Sequence, residues 1–324
     1  MAVAAPPSTA DAFREEKRRE RAIAAKYRND FAWRIVAEFV RDFGAWLAVT
    51  ALAASGMIPL WLGCLANGWI AYLMYMTLHE ATHGNVSGPH GNLRWVDDWI
   101  GSLSALPMWF SYRSHRISHM QHHAHTNDPG RDPDYFVAGP FRAVLPKYAL
   151  LSFLTIAMPV LSVVPGGQRL LPRSLLRGAQ ESDMGTPLER GIQRRFTLYC
   201  VGVFLVLTIS GYFWEALLLW YLPSRIGFFI VVVVFAWLPH HPHNERGRYR
   251  DTRITLFPGG TLLIRGQNHH LLHHMFPRVP HYRLPALFRE IRPILEAKGA
   301  RIEGPLAGPG APPILLRHDP NAVN

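Results

Sequence analysis

The sequence is poor in cysteine and lacks the motifs that hold redox cofactors. Its 324 residues include two cysteines, Cys64 and Cys200, which lie far apart inside apolar stretches. This usage argues against a disulfide scaffold and against cysteine-held iron–sulfur clusters, so both are interpreted as small apolar residues of helices. The sequence shows no glycine-rich dinucleotide loop and no flavin motif. If the protein carries out redox chemistry, its electrons must therefore come from another protein.

Acidic residues are also scarce, and the charged residues are unevenly distributed. The chain has 23 acidic and 34 basic residues and a net charge of +11, yet 49% of its residues are hydrophobic. The arginines fall between five apolar blocks, at residues 43–54, 57–78, 148–164, 196–209 and 221–238. Blocks of about 17–25 apolar residues can cross a bilayer as helices. A large soluble protein rarely contains such uncharged runs, so an integral membrane protein is predicted.

These blocks predict an all-α membrane protein with two transmembrane hairpins, about four spans in total. The first hairpin takes residues 43–78 and the second takes residues 196–239, in which Arg225 can snorkel to the outer interface. Residues 148–164 are interpreted as an interfacial or re-entrant helix, because a crossing there would place the arginine-rich loop 165–195 outside the cell. Further interfacial helices and a cytoplasmic histidine-rich cap complete the predicted fold.

The basic segment at residues 14–28, which precedes the first apolar block, sets the predicted orientation. By the positive-inside rule it lies in the cytoplasm, and two hairpins return His79 and His240 to that side. The polar N-terminus shows no secretory signal. The expected location is a bacterial inner membrane, with the N-terminus, the histidines and the C-terminus in the cytoplasm. The predicted parts are a basic N-terminal segment at 1–40, a membrane domain at 41–290, and a helix end and tail at 291–324.

Seventeen histidines are present, and most of them are clustered. Residues four apart lie on one face of a helix, and H-x-x-x-H at residues 79–83 provides such a pair. The pattern H-x-x-H-H occurs twice, and it brings three imidazoles to one side of a helix. One more histidine follows the last apolar block. The predicted metal ligands are His79, His83, His119, His122, His123, His240, His270, His273 and His274.

The first pair also satisfies a different signature. His79-Glu80-Ala81-Thr82-His83 matches H-E-x-x-H, in which two histidines hold zinc and the glutamate is the general base of a protease. A zinc protease needs one metal with an open position, whereas this many histidines suit two ions of about four to five ligands each. A membrane zinc protease is kept as a distant alternative. A metal transporter is disfavoured, because its ionisable residues would lie in the middle of its spans.

The three histidine boxes, with their spacing around two hairpins, resemble the membrane fatty acid desaturase and hydroxylase superfamily. The strings HMQHHAHTNDPGRDPDYFV, WLPHHPHNERGRYRDTR and LIRGQNHHLLHHMFPRVPHY are more similar to β-carotene hydroxylases of the desaturase type than to ordinary acyl desaturases. The likeness covers about residues 45–290. It departs at His115, His241 and His269, which are interpreted as residues that support the ligands from outside or lie at the surface. No role is assigned to His243.

The resemblance implies a centre of two iron ions that uses O₂ as co-substrate and takes electrons from a ferredoxin-type donor. The implied substrate is a long-chain lipid or carotenoid that enters from the bilayer, and the first expectation is hydroxylation of a carotenoid ring. Fatty acyl-lipid desaturation is the alternative, because both reactions share the first hydrogen abstraction and small differences in geometry separate them. Membrane lipids are expected partners, and nucleic acids are not.

Several polar residues near the boxes are candidates for a supporting role. Glu80 is expected either to hydrogen-bond a ligand imidazole or to solvate a helix end. Asp128 and Asp132 are turn formers that can also orient a histidine, and Asn268 lies near one iron or caps a turn. Arginines after the last apolar block would suit an acidic electron donor or anionic lipids. These are Arg246, Arg248, Arg250 and Arg253.

Overall fold

The structure, a computed structural model, describes residues 9–167 and 186–309. Within this part of the chain the only strands are β1 (Ile254–Thr255) and β2 (Ile302–Glu303), which pair in parallel. The predicted all-α class is confirmed. The helices are α1 (Thr9–Ala25), α2 (Trp33–Ala54), α3 (Leu60–Thr82), α4 (Arg94–Ala105), α5 (Tyr112–His125), α6 (Val144–Ser162), α7 (Pro187–Ile209), α8 (Phe213–Trp237), α9 (Gly260–Leu263), α10 (His270–Met275) and α11 (Leu284–Ala297).

Helices α2 and α3 form the first helical hairpin and are 22 and 23 residues long. Gly56 turns the chain between them with a φ of 77°, and Pro59 precedes the first turn of α3. The two helices approach closely at Gly63, where a Cβ atom would lie 2.8 Å from the Cβ of Ala53. The hairpin expected from the first two apolar blocks is therefore present, and α2 begins earlier, at Trp33.

Helices α3 and α8 run parallel and pack against each other through glycines. A Cβ atom on Gly68 would lie 2.8 Å from Ile226, and one on Gly227 would lie 2.8 Å from the Cβ of Ala71. Small residues at such positions let two helix backbones approach closely, as is common in membranes. Because the helices are parallel, their C-terminal ends lie at the same end of the molecule.

This arrangement limits the membrane topology. In the part of the chain that the structure describes, three helices are long and apolar enough to cross a membrane, Phe141–Ser162, Pro187–Ile209 and Phe213–Trp237. The chain that joins the parallel helices α3 and α8 has to cross an odd number of times, and α7, which forms a second hairpin with α8, supplies one crossing. If α6 lies in the interface and does not cross the membrane, this number of crossings is satisfied. The interfacial placement and the total of four spans both stay predictions.

Helices α4 and α5 form a further hairpin that turns at Leu106–Met108. Two side chains of α8 satisfy carbonyl groups of this turn. Trp220 Nε1 donates to the carbonyl of Leu106 at 2.9 Å, and Arg225 Nη2 donates to the carbonyl of Met108 at 3.0 Å. The prediction that Arg225 snorkels to the outer interface is wrong, because its guanidinium is needed inside to bind a carbonyl that would otherwise lack a partner.

Helix α1 is tied to the C-terminal half of the chain by ionic contacts. Glu20 is fully buried, and its carboxylate accepts hydrogen bonds from Arg248 at 2.9 Å and from the hydroxyl of Tyr249 at 2.6 Å. Lys26 pairs with Glu290 of α11 at 2.5 Å. The first residues therefore pack on the part of the chain that follows the last apolar helix, and the predicted division at residue 40 stays a prediction.

The contact between α3 and α8 can be tested with Gly227→Ala. The new Cβ would lie 2.8 Å from both the Cβ of Ala71 and the carbonyl oxygen of Gly68. Such overpacking costs about 1–3 kcal/mol, so we expect a lower midpoint of thermal unfolding in detergent. Gly202→Ala is the matched control, because no atom lies within 4 Å of its Cβ position. Equal midpoints for the two variants would contradict the close approach.

Candidate metal centre

Four parts of the chain bring histidines to the end of α3 and α8. The end of α3, helix α5, the segment after α8 and helix α10 each contribute at least one. Their nitrogen atoms form two groups, in each of which all ligand atoms lie within 4.8 Å of one another. The first group is His79, His83, His119, His123 and His273; the second is His122, His240, His270 and His274. These are the nine histidines that the sequence predicts as ligands.

The two H-x-x-H-H patterns divide their histidines between the groups. In α5 the histidines four apart, His119 and His123, join the first group, whereas His122 joins the second. Helix α10 does the reverse, because its pair four apart belongs to the second group and His273 to the first. The imidazoles of His123 and His274 stack across the boundary with ring centroids 4.2 Å apart. The two groups are therefore neighbours held by the same two helices.

Imidazole nitrogens face one another at short distances in both groups. In the first, Nε2 of His119 lies 2.9 Å from Nε2 of His83 and 3.0 Å from Nε2 of His123, which lies 3.1 Å from Nε2 of His273. A ring nitrogen is either a donor or an acceptor, so protons alone cannot satisfy this chain of contacts. Both ring nitrogens of His79 are buried without a hydrogen-bond partner. A cation shared by the lone pairs satisfies all of them, so the residues fit a bound metal.

The spacing also indicates the coordination geometry that suits the first group. Metal–nitrogen bonds of about 2.1 Å at right angles place neighbouring nitrogens about 3.0 Å apart, whereas tetrahedral angles place them about 3.4 Å apart. The contacts of 2.9 to 3.1 Å match the first value. In the second group, Nε2 of His270 lies 3.0 Å from Nε2 of both His240 and His274. In both groups several ring nitrogens are therefore close enough together to bind one ion.

Burial sets the protonation of these rings. It lowers the pKa of His119 and of His270 well below the usual value, and neighbouring imidazoles lower it further. Such rings are neutral at pH 7 and offer a lone pair to a metal. At His122 burial also lowers the pKa, but the carboxylates of Asp134 and Asp132 outweigh it and raise the value to about 9. That ring is held beside two negative charges that would favour a cation in the second group.

Three side chains hold ligand rings from outside the groups. The Nδ1 atom of His122 lies 2.8 Å from a carboxylate oxygen of Asp132. Gln267 lies 2.5 Å from Nδ1 of His270, and the hydroxyl of Thr126 lies 3.3 Å from Nδ1 of His274. Such contacts fix the orientation of a ligand ring. The sequence singles out Asp132 but not Gln267 or Thr126.

The other proposed supporting residues make different contacts. The Asp128 carboxylate pairs with Arg131 at 2.7 Å and with Arg246 at 3.2 Å, so it holds a surface turn. Asn268 donates to the hydroxyl of Thr261 at 3.3 Å. Within the described residues neither side chain hydrogen-bonds a histidine of the two groups. Their supporting role stays a prediction that these contacts do not favour.

Four histidines near the boxes to which the sequence assigns no ligand role, His115, His241, His243 and His269, lie inside the protein. His241, His243 and His269 are at most 3% exposed. His241 packs on Trp237 with ring centroids 4.6 Å apart. His115 is partly buried and stacks on His119 at 5.3 Å. None of the four joins either group. The surface interpretation of His241 and His269 is wrong, since both fill the core around the centre.

Comparison with known proteins identifies the family. The model of the family described as fatty acid desaturase matches residues 55–304, which include all nine histidines. The chain belongs to the fatty acid desaturase family. Members of this family are membrane-bound oxidoreductases that generally use a di-iron centre. The chain is therefore an enzyme, and the resemblance stated from its histidine boxes is confirmed.

Curated relatives of this desaturase-family chain include desaturases and a carotene ketolase. A probable fatty acid desaturase of Sorghum bicolor is 26% identical over 291 residues, which cover 81% of this chain and 71% of the relative. An sn-1 acyl-lipid omega-3 desaturase (ferredoxin) of Synechocystis sp. is 26% identical over 252 residues, which cover 71% of this chain and 67% of the relative. A beta-carotene ketolase of Paracoccus sp. is 28% identical over 262 residues, which cover 75% of this chain and 87% of the relative.

The position of Glu80 in this family member does not suit a protease base. Glu80 is 1% exposed, and one carboxylate oxygen accepts a hydrogen bond from Asn85 at 2.9 Å. The other lies 3.8 Å from Nδ1 of His281 and 4.0 Å from Nδ1 of His79. Its carboxylate therefore bonds to residues outside the two groups and makes no hydrogen bond to a ligand ring. These contacts do not favour Glu80 as the general base that the zinc-protease alternative requires.

A cavity adjoins the first group of this desaturase-family site. It has a volume of about 460 Å³ and reaches His119. Leu150 and Leu151 of α6 face it from one side, and Phe228 and Phe235 of α8 face it from another. Pockets of this size and character hold small molecules or parts of larger ones. Of the nine histidines only His119 lines it, so a bound molecule would meet the first group of histidines.

The contact between Asp132 and His122 predicts an effect on metal binding. Asp132→Asn removes the charge beside Nδ1 of His122, which lies 2.8 Å from the carboxylate. Loss of such a contact typically weakens metal affinity by about 10- to 100-fold. Titration against a metal chelator should therefore show weaker retention in the variant. Asp128→Asn is the control, because Asp128 contacts arginines instead. Unchanged retention in Asp132→Asn would remove this support.

Proposed function

We propose that this member of the desaturase family is an O₂-dependent di-iron hydroxylase that acts on a carotenoid ring. The observation that carries the proposal is the cavity of about 460 Å³ that joins an apolar wall to the ligand His119. A long lipid can place one end there while the remainder stays in the bilayer. Two irons, held by the nine histidines, would supply the oxidising power to break an aliphatic C–H bond with O₂.

The residues of the chain supply the position and the environment for that chemistry. Phe228, Val231 and Phe235 of α8 form an apolar wall that excludes water and holds a hydrocarbon. The ring of Tyr75 stands between this wall and the site, with its centroid 4.6 Å from that of Phe235 and 6.0 Å from that of His79. A substrate held against these rings has few orientations, which is how a single C–H bond is selected.

Electrons would come from an acidic one-electron carrier of the ferredoxin type. His123 and His274 are the two partly exposed members of the groups, so an outside donor comes nearest the centre at these rings. The predicted basic surface needs one correction. Arg253 is fully buried and pairs with Glu303 at 2.7 Å, so it cannot face a donor. Arg246 is exposed and remains a candidate contact.

Acyl-lipid desaturation is the second candidate function. The relatives from Sorghum bicolor and Synechocystis sp. are named as desaturases, and the latter name includes ferredoxin. The relative from Paracoccus sp., whose name refers to beta-carotene, has 87% of its length covered. That coverage and the three sequence strings around the histidine boxes favour the carotenoid. We place the histidines on the cytoplasmic side of a bacterial inner membrane, as the basic segment before α2 suggests.

Expression in a β-carotene-producing bacterium tests the choice between these functions. We expect new, more polar carotenoids to accumulate, because hydroxylation adds an oxygen to the ring. Pigments and total fatty acids are analysed from the same cells by chromatography and mass spectrometry. Unchanged pigment together with new double bonds in the acyl chains would overturn the carotenoid assignment in favour of desaturation.

The ligand set is tested with His273→Ala. His273 is 1% exposed, and its Nε2 lies 3.1 Å from that of His123, so its loss removes one of the five nitrogens of the first group. We expect turnover to be abolished while the protein still inserts in the membrane and binds less iron. His90→Ala is the control, because His90 lies outside both groups and pairs with Asp30. Turnover that survives in His273→Ala would exclude this residue as a ligand.

A further inference from the structure

One side of the cavity is polar, and it includes a face of α5. His115, Ser118 and His119 are spaced as i, i+3 and i+4, which places them together on one face of a helix. The ring of Tyr75 closes this corner, with its centroid 5.3 Å from that of His115. Opposite lie the apolar side chains of α6 and α8. A pure hydrocarbon would need only the apolar wall.

Most other polar side chains of the cavity already have partners. Lys147 donates to the carbonyl of Ala138 at 2.5 Å, and Gln193 donates to the hydroxyl of Thr197 at 3.1 Å. The carboxylate of Asp134 lies 3.7 Å from Nδ1 of His122. These groups hold the protein together and are less available to a ligand.

His115, Ser118 and Tyr75 differ from them. No side-chain polar atom of the three has a hydrogen-bond partner among the described residues, and Nε2 of His115 is buried. A buried polar group without a partner costs about 1–3 kcal/mol. A neutral imidazole ring such as that of His115 carries both a donor and an acceptor. The buried nitrogen of His115 and the two hydroxyl groups therefore offer hydrogen-bonding positions that a ligand in the cavity can fill.

We propose that His115, Ser118 and Tyr75 bind an oxygen atom of the substrate, so that the preferred substrate is a lipid already carrying a hydroxyl or carbonyl group. This inference rests on the proposed function and narrows its substrate class. A hydroxyl oxygen both donates and accepts hydrogen bonds, and a carbonyl oxygen accepts them, so either suits a cavity side lined by two hydroxyl groups and an imidazole.

The geometry also places this oxygen relative to the bond that reacts. The ring centroid of His115 lies 5.3 Å from that of the ligand His119, so the bound oxygen and the reacting carbon belong to the same end of the substrate. For a carotenoid this means one terminal ring. The enzyme would then act faster on a ring that an oxygenase or hydratase has already oxidised than on the unoxidised ring of β-carotene.

Ligand binding without turnover tests the proposal. The full-length protein, as purified in detergent and without reductant, is titrated with two pairs of ligands. The first pair is β-carotene and a carotenoid with one hydroxyl on each ring; the second is an oleoyl ester and its hydroxylated counterpart. Quenching of tryptophan fluorescence gives the dissociation constants. We expect about tenfold tighter binding of the hydroxylated carotenoid, as two or three hydrogen bonds would give.

Two variants test which side chains cause the preference for the hydroxylated carotenoid. Ser118→Ala removes one hydroxyl, and His115→Phe keeps an aromatic ring on His119 but removes both nitrogens. Each should lower the tenfold preference to about threefold or less, with little change for β-carotene. Ser102→Ala is the matched control, because Ser102 is exposed on α4 and outside the cavity lining, and it should keep the full preference.

The outcomes separate this inference from the proposed function. A preference found only in the acyl pair would support the oxygen site and identify a hydroxylated acyl lipid as its ligand, against the carotenoid assignment. Equal affinities within both pairs would overturn the inference, even if the expressed enzyme hydroxylates carotenoids. A preference that survives both substitutions would overturn it as well.

Discussion

The structure depends on one electrostatic constraint, the crowding of nine imidazoles whose nitrogen lone pairs point at one another. Nε2 atoms as close as 2.9 Å cannot all be satisfied by protons. Every buried nitrogen left without a partner costs about 1–3 kcal/mol. Cations between the lone pairs offset that cost, so the folded state and the metal-bound state favour each other. The helices around the site can be understood as the frame that keeps these rings together.

That frame is built from close helix contacts near the membrane. Glycines let α3 and α8 run side by side, and their parallel direction delivers His79 and His240 to the same end. The hairpin of α4 and α5 needs α8 as well, because Trp220 and Arg225 bind the carbonyl groups of its turn. Helix α5 is thereby held where it can contribute to both groups. The positions of the ligands thus depend on contacts far from the histidines.

The sequence predicts which histidines lie together, because their signal is local. Spacings of three and four residues put imidazoles on one helix face, and that property does not depend on the remainder of the fold. The sequence does not predict how the rings divide between the two groups, since His122 and His123 are neighbours in sequence yet belong to different groups. That division follows from where α10 meets α5, which is a tertiary contact.

Supporting residues are harder to predict for the same reason. Thr126 holds His274, a residue 148 positions away, and nothing in the local sequence of Thr126 indicates that contact. Glu80 shows the opposite case, in which a strong local signature indicates a protease base. The carboxylate instead meets Asn85 and His281, because the chain that follows α10 packs against that side of α3. The surroundings of Arg225 are another tertiary feature, because its side chain donates to the carbonyl of Met108 in the α4–α5 turn, which the local sequence does not indicate.

The two histidine groups are chemically unequal, and this inequality constrains the reaction. The cavity reaches the first group through His119 and touches no histidine of the second. The second group instead has the carboxylates near His122, whose negative charge would favour a cation held there. The partly exposed rings of His123 and His274, one from each group, stack at 4.2 Å. The cavity and the partly exposed rings therefore meet the two groups at different histidines.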